Sequence, residues 1–314
     1  MKRYDNYKFR ASQLGHIMGG IPKSLTTKQE QMYNDYTTRK NGEGRKLTDN
    51  QLATWGKLHL QKLAKPTLSG GAKTYLENLV WEDVMGRSKK VSNHYTQKGI
   101  EVEEKSITLY SEVRNKLFLK NKERKENDFF TGEADNIQGK IRDIKSSFEF
   151  ATFPAGETEI KNTLYKWQLD VYMELWGLKE AELIYCLVDT PNRLVEGEIR
   201  KLDYRHNLLN IEGDLREEHI PLVVETVCNL IYTEKSLEEF CSYSSNVHIE
   251  WFKDYFKEIP KELRVKVFEW HYSHERIGQA LEMVCMARNY MNKVLDHLGG
   301  TVLNNTNHNL LETA

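Results

Sequence analysis

The stretch Gly132-Glu-Ala-Asp135-Asn-Ile-Gln-Gly139-Lys-Ile-Arg-Asp143-Ile-Lys145 decides the fold. Asn136 to Gly139 have the residue types of a turn, and a short run of strand character lies on either side. Successive side chains of a strand alternate between its two faces. Ile141, Asp143 and Lys145 therefore share one face, Ile144 points to the other, and Asp135 arrives from the preceding strand. Two carboxylates and one ammonium are aimed at one small volume.

An acid-x-lysine strand also arises on any charged surface, so its weight comes from what surrounds it. Upstream, Gly99-Ile-Glu-Val-Glu103 opens a helix whose inward stripe, at helical spacing, is Ile100, Glu103, Ile107 and Tyr110. A carboxylate thus sits on an apolar face. Downstream, Gln168 and Tyr172 lie four apart in a second helix and share one face of it. Gly177 stops that helix.

This ordered set resembles the P-D-(D/E)-x-K nuclease superfamily, and within it the lambda-exonuclease and YqaJ-type viral recombinase group. The likeness runs from about Phe9 to about Leu187. It implies an α/β fold: a restriction-endonuclease-like core in which a mixed sheet of four or five strands is flanked by the helices carrying Glu103 and Gln168, followed by a mainly helical C-terminal extension. The family's glycine-led helix supplies Glu103, its hairpin aspartate falls on Asp135, and its acid-x-lysine strand falls on Asp143 and Lys145. Its Gln-x-x-x-Tyr helix falls on Gln168 and Tyr172. Phe9-Arg10-Ala-Ser12 resembles the short segment whose serine contacts a terminal phosphate. Ala134 stands where the family commonly has proline, and Asp143 stands where the lambda enzyme has glutamate. Only eleven residues precede Ser12, so an arginine found further upstream in family members has no evident counterpart.

The chemistry explains the combination. Phosphodiester hydrolysis needs an activated water and cations against the charge that builds in the transition state. Magnesium, with manganese as a substitute, is hard, prefers oxygen ligands and keeps several waters. The expected ligands are Asp135, Asp143, the main-chain carbonyl of Ile144 and, directly or through water, Glu103. Lys145 is expected to orient the attacking water and stabilise its hydroxide form, and a lysine next to a metal and within a cleft can have a lowered pKa. Gln168 would anchor that water or Lys145, and Tyr172 would brace the helix. Lys73, near a helix start, is a further phosphate-binding candidate, since its charge adds to free backbone amides.

Net charge is −1, but the first hundred residues hold 18 Lys and Arg against 8 Asp and Glu. A basic part beside an acidic remainder suits a polyanion such as DNA. Cys186, Cys228, Cys241 and Cys285 are spaced 42, 13 and 44 apart, which is no metal-ribbon or cluster spacing, so no iron–sulfur cluster is expected. The N-terminus is charged throughout, so neither a signal peptide nor a membrane span is expected, and the expected compartment is the cytosol of a bacterial host.

The expected organisation is a nuclease core over 1–205, with a basic helical region over 1–98 and the catalytic sheet and helices over 99–205. A helical extension over 206–300 and a frayed tail over 301–314 follow. Thr48–Lys65 and Ser69–Met85 read as helices, the second with Leu76, Leu79, Val80 and Val84 inward. Ala181–Val188 and Leu194–Leu202 read as strands, and Ile220–Ile231, Val247–Phe256 and Glu275–Leu298 as helices. A strand within Pro260–His271 precedes the last helix.

The family resemblance implies a metal-dependent exonuclease that degrades linear double-stranded DNA from an end, 5′ to 3′, in phage-type homologous recombination. It further implies a homotrimeric ring and a single-strand annealing protein as partner. An endonuclease or single-strand nuclease of the same fold, or a catalytically silent DNA-end-binding subunit, are the alternatives.

Overall fold

The computed structural model describes residues 3–88, 93–211 and 213–311. Its elements run β1 (Phe9–Arg10), α1 (Ala11–Leu14), α2 (Thr27–Lys40), α3 (Asp49–Leu63), α4 (Gly70–Met85), α5 (His94–Glu101), α6 (Glu103–Val113), β2 (Lys125–Glu126), β3 (Phe130–Gly132) and β4 (Ile141–Ser146). Then follow α7 (Thr163–Trp176), β5 (Glu180–Cys186), α8 (Asn192–His206), α9 (Ile220–Leu230), α10 (Glu234–Tyr243), β6 (Val265–His271) and α11 (His274–Leu311). Two compact units emerge. One comprises residues 1–9, 13–88 and 274–314, and the other residues 10–12 and 89–273.

The first unit is helical. Leu76 and Val80 of α4, Ile17 and Met18 of a 3₁₀ turn over Gly15–Gly20, and Met283, Val284, Ala287 and Met291 of α11 are buried there. Thr26, Thr48 and Ser69 cap the N-termini of α2, α3 and α4, each accepting a backbone N–H of the first turn. Val84, expected inward, is exposed. The last helix continues through Leu311, across most of the segment read as a tail, and residues 312–314 lie outside the described residues.

The second unit is α/β and carries the diagnostic stretch. The β4 strand pairs in parallel with β5, which pairs antiparallel with β6. The crossover from β4 to β5 is α7, capped by Asn162 and stopped by Gly177 at φ 68°. Register then fixes the two faces of the sheet. Ile144, Ile184 and Val267 are aligned and pack with Val102, Ile107 and Tyr110 of the α6 side. Asp143 and Lys145, one residue to either side, belong to the opposite face. The hairpin of β2 and β3 belongs to a second small sheet. The expected single sheet of four or five strands is thus divided, and its third strand, β6, comes from the part of the chain read as a helical extension.

Leu194–Leu202 is helix, not strand. Pro191 opens it, Leu194 and Val195 are buried, and the intervening charges pair along one helix, Glu196 with Arg200 at 3.0 Å and Glu198 with Lys201 at 2.7 Å. The alternation that suggested a strand is the exposed side of a helix. Only Ile249–Phe252 of the helix expected over Val247–Phe256 forms, as a 3₁₀ turn. Its crowded apolar residues enter a second core with Val223, Val227, Leu237 and Phe240. Ile100, expected inward, is 77% exposed, because the helix is interrupted at Val102, which takes the buried position between α5 and α6. Among the described residues no helix is long and apolar enough to cross a membrane.

A buried ion pair fastens β4 to β5. Arg142 Nε donates to Glu182 Oε2 at 2.9 Å, with side chains 7% and 8% exposed, and Tyr110 donates to the same oxygen at 2.9 Å. Removing one partner strands a buried charge at a cost of about 3–5 kcal/mol. Glu182→Leu is therefore expected to lower unfolding free energy by about that amount in denaturant titration, whereas a loss under about 1 kcal/mol would show that Arg142 has no need of this partner.

Candidate functional site

Asp135 lies just beyond β3, in a bend closed by a bridge between Asn136 and Arg142. Arg142 holds this turn from beneath. Its Nη1 donates to Asn136 Oδ1 and to the Gln138 carbonyl, both at 2.9 Å, while Nε remains on Glu182. Asn121 braces the incoming strand, donating its main-chain N–H to the Asp135 carbonyl at 2.7 Å. The acid is thereby fixed against β4, where the Ile144 N–H donates to Asp135 Oδ2 at 2.6 Å. N–H and C=O of one strand residue point to the same side, so the Ile144 carbonyl also opens toward Asp135.

Asp143 is 1% exposed. Gln168 Nε2 donates to its Oδ1 at 3.1 Å and to the Tyr172 hydroxyl at 3.0 Å. Lys145 Nζ stands 2.7 Å from Oδ2. That contact is the ion pair of the cleft, and Oδ2 itself is buried. Asp135, Asp143, Ile144, Lys145, Gln168, Tyr172 and Glu103 line one cleft of about 700 Å³. The structure thus brings these seven sequence-derived candidates together.

The electrostatics fit a divalent cation. Burial, followed by repulsion from Asp143, pushes the Asp135 carboxyl up to about 7, against the pull of Lys145 and the Ile144 N–H. Burial also works to lower Lys145, but Asp143 and Asp135 outweigh it and hold the ammonium above the usual lysine range. Two acids and one ammonium leave negative charge in a desolvated place. That donor set fits a hard divalent ion, which needs only one or two carboxylates when it keeps its waters. Glu103 lines the cleft but is engaged by Lys120 at 2.7 Å. Among the described residues no three His, Cys, Asp or Glu side chains converge on one point.

Arg10 and Ser12 are exposed and flank Ala11 at the β1–α1 corner. A Cβ built on Gly132 would stand 3.2 Å from Ala11 Cβ and 2.7 Å from Tyr172 Cε1, so this corner passes close behind the tyrosine. Neither Arg10 nor Ser12 is among the residues lining the cleft. Lys73 lies in the first turn of α4 in the helical unit, exposed, 5.9 Å from the Tyr290 ring centroid.

Three contributors escaped the sequence. Lys120 sits in a lysine-rich run that gives no reason to single it out. Arg142 carried a signal, a cation between the two core isoleucines Ile141 and Ile144. Lys98 is fully buried and donates to the Phe148 carbonyl at 2.8 Å. Burial pulls its ammonium down to about 7, against Asp189 and Glu149.

The fold has solved counterparts. The chain is similar to the crystal structure of a phage related exonuclease from Haemophilus somnus 129PT, with a TM-score of 0.58 and 22% identity over 93% of this chain and 97% of that one. An alkaline exonuclease from Laribacter hongkongensis aligns with a TM-score of 0.49 and 9% identity over 96% of this chain and 95% of that one. No family model and no curated protein matches. The protein has the fold of a phage-type exonuclease.

A carboxyl whose folded-state pKa is raised holds a proton that unfolding releases, so its contribution to stability declines as pH rises from about 4 through about 7. Asp135→Asn removes that decline. In EDTA at pH 8 the variant is expected to be more stable than the wild type, by up to ~4 kcal/mol at ~1.4 kcal/mol per pKa unit, with the gap closing toward pH 4. Equal thermal unfolding at both pH values would show that Asp135 is not destabilised by its surroundings.

Proposed function

We propose that this protein is a magnesium-dependent deoxyribonuclease that degrades one strand of linear duplex DNA from an end, 5′ to 3′, in phage-type recombination. The observation that carries this is the pairing of buried Asp143 with partly buried Asp135 on one cleft, where the Lys145 ammonium stands 2.7 Å from Asp143. The likeness in fold to a solved phage related exonuclease supports it. Polarity, the ring-shaped trimer, the single-strand annealing partner and the bacterial cytosol belong to the proposal through the family resemblance.

Asp135, Asp143 and the Ile144 carbonyl would hold the ion, with Glu103 joining through water or on release from Lys120. Once bound, the cation supplies Lewis-acid stabilisation of the phosphoryl oxygens and acidifies a coordinated water. Gln168 holds Asp143 Oδ1 while Lys145 pairs with Oδ2, so both oxygens are fixed in the cleft, and Tyr172 holds Gln168 in turn. Lys145 Nζ orients the attacking water and balances the hydroxide that forms. Its positive charge persists while both acids are ionised. When their charge is neutralised, burial is left to lower its pKa, and the ammonium becomes better matched to proton exchange with that water.

The test uses linear duplex DNA, 5′-phosphorylated and labelled separately at each end, with magnesium or EDTA, and a covalently closed circle as control. Nucleotides should be released from the 5′ ends only with magnesium. Lys145→Ala should reduce the rate by about 10²–10⁴-fold, and circles should survive. Cutting of circles would replace the exonuclease with an endonuclease, and binding without cleavage by the wild type would leave a silent end-binding subunit.

A further inference from the structure

The hairpin of α2 and α3 is constructed to stand by itself. Within its unit the two helices pack on one another, and neither packs extensively on any other element. Helix α2 buries no residue fully, and α3 buries only Leu58. What stiffens the pair is a ladder of rings. Trp55 and His59 stack at 4.7 Å and 12°, and Tyr33 lies parallel to His59 at 6.0 Å. Trp55 Nε1 donates to Thr37 Oγ1 at 3.0 Å, joining the helices across the stack.

The tip is Arg39-Lys-Asn-Gly-Glu-Gly-Arg-Lys46, with no apolar residue. Gly42 and Gly44 take φ of 101° and 99°, which makes the return tight. Arg39 is spent inside this loop. Its guanidinium donates to the Arg45 carbonyl at 2.9 Å, the Lys46 carbonyl at 3.4 Å and Gln51 Oε1 at 3.0 Å, and it pairs with Asp35. Drawing both carbonyls inward leaves the side chains of Arg45 and Lys46 exposed on the outside. Over Thr27–Lys65 there are eight Lys and Arg against four Asp and Glu. Two of those acids, Asp35 and Glu30, are already paired within the hairpin.

We propose that the α2–α3 hairpin is a rigid arm that grips the phosphate backbone of duplex DNA through Arg45 and Lys46 at its tip. This rests on the DNA-degrading activity proposed above. A preformed, stiff arm loses little conformational freedom on binding. Backbone contacts from cations give affinity without reading sequence, which is what a general degradative enzyme requires. Of the exposed leucines of α3, Leu60 and Leu63 lie at the end away from the tip and Leu52 lies in the first turn. The tip loop itself carries charge and no apolar side chain, and its complement is a polyanion.

The experiment measures binding of the full-length protein to a short blunt duplex in EDTA, by fluorescence anisotropy over a salt series. The Arg45→Ala/Lys46→Ala variant, with its fold checked by circular dichroism and thermal unfolding, is compared with the wild type. Removal of two phosphate contacts should flatten the log–log salt dependence by about 2, at ~0.9 per contact, and weaken low-salt binding roughly tenfold. An unaltered slope and affinity in a folded variant would overturn the arm. So would that result together with a Leu60→Asp variant that changes oligomeric state, which would make the hairpin a protein interface. Wild-type cleavage with magnesium is read separately. If it is absent while the tip variant still loses binding, the nuclease activity fails and the arm stands.

Discussion

Two carboxylates in one desolvated cleft, with a single ammonium between them, are the constraint on which the rest of this structure depends. Like charges held out of water repel strongly. Asp135 shows that cost in a carboxyl pushed up to about 7, and Lys145 shows the converse in an ammonium held above its usual range. Such an arrangement persists only if the backbone leaves the acids no escape. Pairing of β4 with β5 fixes Asp143, the Ile144 N–H fixes Asp135, and Gln168 on the crossover helix fixes the second oxygen of Asp143. The same features concentrate negative charge that a doubly charged ion would neutralise.

The supporting layer lies on the other side of the same strand. Arg142, one residue before Asp143, points away from the cleft and is buried with Glu182 and Tyr110. Through Asn136 and the Gln138 carbonyl it sets the turn that delivers Asp135. A four-residue segment of β4, Arg142 to Lys145, thus serves two tasks through the alternation of the pleat, with the structural charge on one face and the charges of the cleft on the other.

The site was legible in the sequence because its chemistry is local. Asp135, Asp143 and Lys145 lie within eleven residues, and Gln168 and Tyr172 are one helical turn apart, so period and turn type bring them together without knowledge of the tertiary fold. Glu103 was placed on the correct helix, but its engagement by Lys120 could not be read from a run of similar lysines. Misjudged elements were those whose local pattern had two solutions. Leu194–Leu202 alternates charge and apolar residues well enough for a strand, and Pro191 together with the i,i+4 ion pairing decides for a helix. Strand β6 was legible, but not its role, because pairing of Val265–His271 with β5 is a contact distant in sequence. Arg142 and Lys98 were hidden for a related reason, since a buried cation is recognised only by the acceptors gathered around it.

The central claim, that Asp135 and Asp143 form the divalent-metal centre, is tested most directly by anomalous diffraction from crystals soaked in manganese. The account predicts an anomalous peak in contact with both carboxylates and with the Ile144 carbonyl, and its loss in Asp143→Asn. A well-ordered cleft with no peak, or a peak that ignores both aspartates, would contradict it.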